Sequence, residues 1–259
     1  MSIEALFFVN WIFWAALSAG TVLIVGLTER LGGTTRGYRL FMAWLLVVLA
    51  AVLVASELAL PAGAEASATA GLRRPLVLAF AAGCVAYLVA SLGRWPRSGL
   101  AIGTGILGLA ALVTLAAAGG VRSVPLFAGQ LVLAALALGA VNAAMLLGHW
   151  YLVTPRLSPA PLRRMMWLLM AVLVLQGIAF GAALVGVGAD PLAGGMGWLT
   201  WLRLAVGILL PIVITVLAIL ASRAASLQAS TGLLYVGLAM VMAGSIAGAS
   251  ITYLTGVPV

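Results

Sequence analysis

The chain contains no lysine, one histidine (His149), one cysteine (Cys84) and five acidic residues in a length of 259. One thiol cannot make an internal disulfide, a CxxC redox pair, an iron–sulfur site or a c-type haem attachment. One imidazole likewise excludes a bis-His haem or a multi-His metal site built by this chain alone. No GxxxxGK[ST] run is present, and the glycine pairs lie inside apolar runs rather than after strands. These absences remove most enzyme classes.

What remains is largely hydrocarbon. Hydrophobic residues make up 65% of the chain and charged residues 7%, with a mean hydropathy of +1.26. No water-soluble domain keeps that much apolar surface covered, so the lipid bilayer is the solvent. The thirteen cations are all arginine and give a net charge of +8. In a multi-pass protein such an excess marks loops retained on the cytoplasmic side, and it does not point to nucleic acid.

Eight apolar runs reach the length of about 20 residues that a helix needs to cross the hydrocarbon. They fall near 6–27, 41–60, 75–92, 99–118, 126–151, 165–187, 199–220 and 232–254. The first follows Glu4 rather than a basic segment and has its positive flank behind it, so it reads as a retained helix and not a cleaved signal. The loops after helices one, three, five and seven hold Arg30, Arg36, Arg39, Arg94, Arg97, Arg156, Arg163, Arg164 and Arg223. The opposite side holds Arg73, Arg74, Arg122 and Arg203, with Glu4, Glu65 and Asp190. Nine against four predicts a plasma (inner) membrane protein with both termini outside.

The chain also reads as duplicated. Ala16–Val22 matches Ala135–Val141, Met42–Leu46 matches Met165–Leu169, Arg74 matches Arg203, and Ser98-Gly99-Leu100 matches Thr231-Gly232-Leu233. The offset grows from 119 through 123 and 129 to 133, as it does when one half has longer loops. Four helices per unit make the repeats parallel. The expected fold is therefore an all-α integral membrane protein of two tandem four-helix bundles, 1–120 and 121–259. Close packing is expected at the GxxxG pairs Gly99/Gly103, Gly177/Gly181 and Gly244/Gly248. The eight tryptophans, Trp11 among them, are expected mostly as interfacial anchors, and Gln176 as an interhelical hydrogen bond.

Polar groups inside a membrane are costly, and two clusters stand out. The inner one holds Asn142, His149 and Tyr151, with Glu29 and Arg30 at the matching end of helix one. Asn142 and His149 are seven apart, which puts them on one helix face. An interfacial histidine suits a quinone carbonyl or a proton relay, or a haem b whose second ligand comes from Met or another chain. The plainer reading is an imidazole satisfied by water. The outer cluster holds Asn10, Glu57, Arg74, Gln130 and Arg203, with Arg74 or Arg203 the expected partner of Glu57. Phe180 occupies the position of Glu57 in the second half. Such a Glu–Arg site suits a quinol head group; the plainer reading is a structural ion pair.

Eight spans in two adjacent four-helix bundles, with no self-contained cofactor site, resemble the polysulfide-reductase membrane-subunit (NrfD-like) family. The resemblance is one of architecture and transfers no site residues. It implies a quinone-interacting, non-catalytic or quinone-reactive subunit that anchors redox partner subunits in the bilayer. Two other functions remain open: a small-solute or lipid transporter, and a haem-bearing anchor using His149.

Overall fold

The computed structural model describes residues 3–32, 34–61, 69–93, 95, 97–116, 123–154, 158–187 and 190–258. Among them the chain is all-helical, and eight helices are long and apolar enough to cross a membrane. They are α1 (Ile3–Leu31), α2 (Arg36–Leu58), α3 (Ala70–Leu92), α4 (Ser98–Ala116), α5 (Val124–Val153), α6 (Ala160–Val187), α7 (Gly197–Arg223) and α8 (Leu227–Thr255). A one-turn helix, Asp190–Ala193, precedes α7. Helices are the form these segments must take, because only they satisfy every backbone group within one segment in hydrocarbon. The helices run past the apolar stretches at most ends. Thr35, for example, accepts a hydrogen bond from the Tyr38 backbone N–H and starts α2 five residues before the expected span.

The boundary expected between residues 120 and 121 lies outside the described residues. So do Glu65, Arg94, Arg122 and Arg156 and the side chains of Glu4 and Asp190.

Neighbouring helices form two closed rings. In the first, α1 touches α2 and α4, and α3 lies between α2 and α4; in the second, α5 touches α6 and α8, and α7 lies between α6 and α8. The rings meet chiefly where α1 crosses α5, flanked by α1 against α8 and α4 against α5. Consequently α1 and α5 are the most enclosed helices, while the others leave large apolar side chains exposed toward lipid.

Close approach at that crossing rests on glycine. A Cβ on Gly20 would fall on the Ala135 carbonyl, and one on Gly139 on the Gly20 carbonyl group. Small neighbours (Ala15, Ala16, Ala19, Ala140, Ala143, Ala144) keep the two backbones together, as dispersion contact does between helices in lipid. Asn142 Nδ2 donates to Thr21 Oγ1 at 3.2 Å across the same crossing, and Tyr38 donates its hydroxyl to the Ala143 carbonyl at 3.0 Å, tying α2 to α5. Tyr38→Phe removes only this second bond to a carbonyl already within a helix. A loss of about 1 kcal/mol in detergent unfolding is expected.

The expected GxxxG sites are corrected. An added Cβ meets nothing at Gly99, Gly103 or Gly181 and only ordinary contact at Gly177, so these pairs make no close helix approach. Gly244 does pack closely, with Gly207 of α7 rather than with Gly248 as a motif. Trp11 is also corrected. It is fully buried, not interfacial, whereas Trp44, Trp95, Trp167, Trp198 and Trp201 are exposed. Gln176 is buried, but neither its amide nitrogen nor its oxygen has a partner.

Helix α7 is not a regular rod. Residues Ala205–Leu209 form a π turn, in which the Leu210 N–H reaches the Ala205 carbonyl. Pro211 accounts for it: proline lacks the N–H that would bond the Gly207 carbonyl, and its ring would strike that carbonyl. The wider turn relieves both, and the Thr215 hydroxyl donates to the Pro211 carbonyl at 2.7 Å.

Candidate functional sites at the two ends of the bundle

At the end where α1 begins, the carboxylate of Glu57 lies 3.2 Å from Arg73 Nε through both of its oxygens. The pair is interior: Glu57 is 7% exposed and Arg73 2%. The guanidinium carbon sits 5.8 Å from the Trp11 ring centroid, a cation–π contact on the face of a buried indole. Alongside, Trp14 Nε1 donates to Asn10 Oδ1 at 3.0 Å, and Asn10 Nδ2 donates to Ser56 Oγ at 3.2 Å. Two helices of the first ring are thus tied to α1 by polar contacts.

The expected partner of Glu57 is therefore corrected from Arg74 or Arg203 to Arg73. Helical periodicity gives the reason. Arg73 shares the buried stripe of Val77, Phe80, Cys84 and Tyr87, whereas Arg74 lies with the exposed Leu78 and Val85.

Arg203 belongs to the second ring. It shares the buried face of α7 with Thr200 and Gly207 and is 4% exposed. It lines a cleft between α1, α5, α7 and α8, together with Gln130, Ser245 and the apolar Ile12, Phe13 and Phe127. Gln130 and Arg203, both placed in the outer cluster by sequence, do meet here. Ser245 was not foreseen; a serine on a Gly/Ala-rich helix carries no sequence signal of its own.

At the opposite end, Glu29 receives the Tyr87 hydroxyl at 3.0 Å and lies 3.5 Å from the Nε atoms of both Arg39 and Arg97. These groups edge an open cleft of about 220 Å³ that includes Thr34 and Ser98. A second cleft, of about 230 Å³, lies between the end of α1 and the start of α6, where Arg30 and Arg164 flank Leu27, Leu31 and Met165. Arg164 Nη1 donates to the Leu31 carbonyl at 3.1 Å.

The inner cluster does not assemble as one cavity. Asn142 is buried against Thr21 at the α1–α5 crossing. His149, two turns on, is exposed on the flank of the bundle, where its Nδ1 shares a 3.2 Å hydrogen bond with the Tyr235 hydroxyl of α8. The two rings stand edge to face, 6.4 Å apart between centroids. Tyr151 is buried, apart from the exposed His149.

The class these observations define is a multi-pass helical membrane protein with ionisable groups concentrated at the two ends of its spans. No protein-family model, no curated protein and no solved structure matches the chain.

Proposed function

We propose that the protein is a quinone-interacting membrane subunit of an electron-transfer complex, held in the plasma membrane with both termini outside. The observation that carries this reading is the His149–Tyr235 pair. It is exposed on a flank of otherwise apolar side chains, four residues before the end of α5 and thus at head-group depth. With the Tyr235 hydroxyl donating to Nδ1, the Nε2–H points outward as a donor to a quinone carbonyl. Imidazole and phenol together form a short path for a proton. The same Nε2, unprotonated, is the atom a haem iron would take, and a Soret band in the purified protein would favour that alternative.

Tandem duplication supports the resemblance to the 4+4 quinone-binding anchors. Gly20 and Gly139 correspond in the sequence repeat and lie against each other where α1 crosses α5, as residues near a local two-fold axis do. The orientation is supported by two of the four opposing arginines, Arg73 and Arg203. They are interior residues rather than loop charges, which leaves fewer cations on that side.

Purification from native membranes should recover quinone and redox subunits with the chain. A quinone analogue should bind the purified protein and quench its tryptophan fluorescence. His149→Phe should weaken that binding about tenfold, the loss of one hydrogen bond. A protein free of quinone and of partners, with no quenching, would sink the reading. One observation favours a transporter as second reading: α7 is interrupted by its π turn beside the inter-ring cleft. Solute flux in proteoliposomes that Glu57→Gln abolishes would select it.

A further inference from the structure

Arg203, Gln130 and Ser245 bring hydrogen-bond donors to one cleft, and among the described residues no carboxylate lines it with them. Arg203 Nε and Nη1, Gln130 Nε2 and Ser245 Oγ are all buried without a partner, in side chains that are 4%, 9% and 9% exposed. Among the described residues no acidic group pairs with Arg203; the ion pairs there join Glu29 to Arg39 and Arg97, and Glu57 to Arg73. A guanidinium enclosed among apolar side chains without a counter-charge is strongly unfavourable. Water can satisfy its hydrogens, but water cannot neutralise it.

The first ring meets the same problem internally. Its buried Arg73 has Glu57 as counter-ion and Trp11 beneath it. At the offsets of the sequence repeat, Trp11 corresponds to Gln130 and Glu57 to Phe180. Phe180 is buried in a small apolar cluster with Ile208 of α7. The second ring therefore also buries an arginine near the start of its third helix, although in the sequence repeat Arg203 corresponds to the exposed Arg74 and not to Arg73, and it has a phenyl ring where the first ring has its carboxylate.

We propose that this cleft binds an oxyanion, the phosphate or carboxylate of an amphiphile in the surrounding bilayer, with Arg203 supplying the charge and Gln130 and Ser245 further hydrogen bonds. The enclosed part of the cleft has room of about 30 Å³, enough for about two water-sized groups such as head-group oxygens. Ile12, Phe13 and Phe127 give the walls an apolar character suited to the rest of the amphiphile. This site is at the opposite end of the bundle from His149 and stands whether or not quinone binds there.

The test uses the full chain, delipidated in a neutral detergent. Dioleoylphosphatidylglycerol is expected to raise its melting temperature and to remain bound in native mass spectrometry, whereas dioleoylphosphatidylcholine does neither. Arg203→Met should bind the anionic lipid at least about tenfold more weakly. Gln130→Glu sets a carboxylate in the cleft at almost unchanged volume and should abolish the preference for the anionic lipid. Inorganic phosphate forms a separate arm. If it reproduces the shift in wild type and not in Arg203→Met, the oxyanion is held without its lipid chains; if only the lipid acts, the chains contribute. Equal responses of the wild type to both lipids would overturn the proposal. So would a Gln130→Glu variant that keeps the wild-type preference, since that preference would then come from arginines elsewhere; this variant decides the matter even where Arg203→Met fails to fold.

Discussion

Gly20→Val is expected to separate the two rings of helices. The valine Cβ would occupy the position of the Ala135 carbonyl, a backbone atom that no rotamer change can move. The facing Gly139 offers no slack, because a Cβ there would itself lie 2.6 Å from the Thr21 nitrogen. Overpacking in an adaptable core costs about 1–3 kcal/mol. Here α1 and α5 must move apart along a whole crossing, so the loss should exceed that range and include the Asn142–Thr21 bond. Unfolding in mixed micelles and cross-linking between α1 and α5 measure it. Gly20→Ala should show the same effect at smaller size, and a wild-type cross-linking yield in Gly20→Val would contradict the assigned crossing.

Glu57→Ala should be nearly as damaging by a different route. It leaves Arg73, 2% exposed, as an unpaired cation among apolar side chains. Breaking a buried ion pair from one side costs about 3–5 kcal/mol. Removing both charges as Glu57→Leu with Arg73→Met should recover most of the stability, because well-packed apolar replacements of a buried pair are often neutral or better. Glu57→Leu with Arg74→Met should not, since Arg74 lies on the exposed flank of α3. Thermal unfolding of the two double variants separates Arg73 from Arg74 as the partner.

That choice shows where the sequence stops being readable. The eight spans follow from apolar length alone, and the clustering of Gln130 with Arg203 followed from topology. In α3, however, every face is apolar, so hydrophobic periodicity, which marks the inner face of a soluble helix, does not tell residue 73 from residue 74. The interior of these helices is marked by small residues instead. Glycine is so common that the GxxxG rule selected Gly99/Gly103, which face no neighbour, and passed over Gly20 with Gly139. Trp11 is hard to place for a related reason: a tryptophan near a span end has the composition of an anchor, whereas its full burial and the arginine over its ring make it interior. His149 and Asn142 are seven residues apart on α5, yet Asn142 meets Thr21 of α1 and His149 meets Tyr235 of α8. A stripe two turns long passes from one neighbouring helix to another, so the partners differ.

The π turn of α7 gives the helix one more residue in its middle than regular hydrogen bonding would use. An α-helix turns about 100° per residue, so deleting a single residue within Ala205–Leu209 would swing everything before it by that angle while Leu210–Arg223 kept its place. Arg203 would leave the interior and face lipid. A spare residue in the middle of a helix is thus what aims a charged side chain at its end, and the orientation of that charge is adjustable by insertion or deletion without altering any residue that lines the cleft.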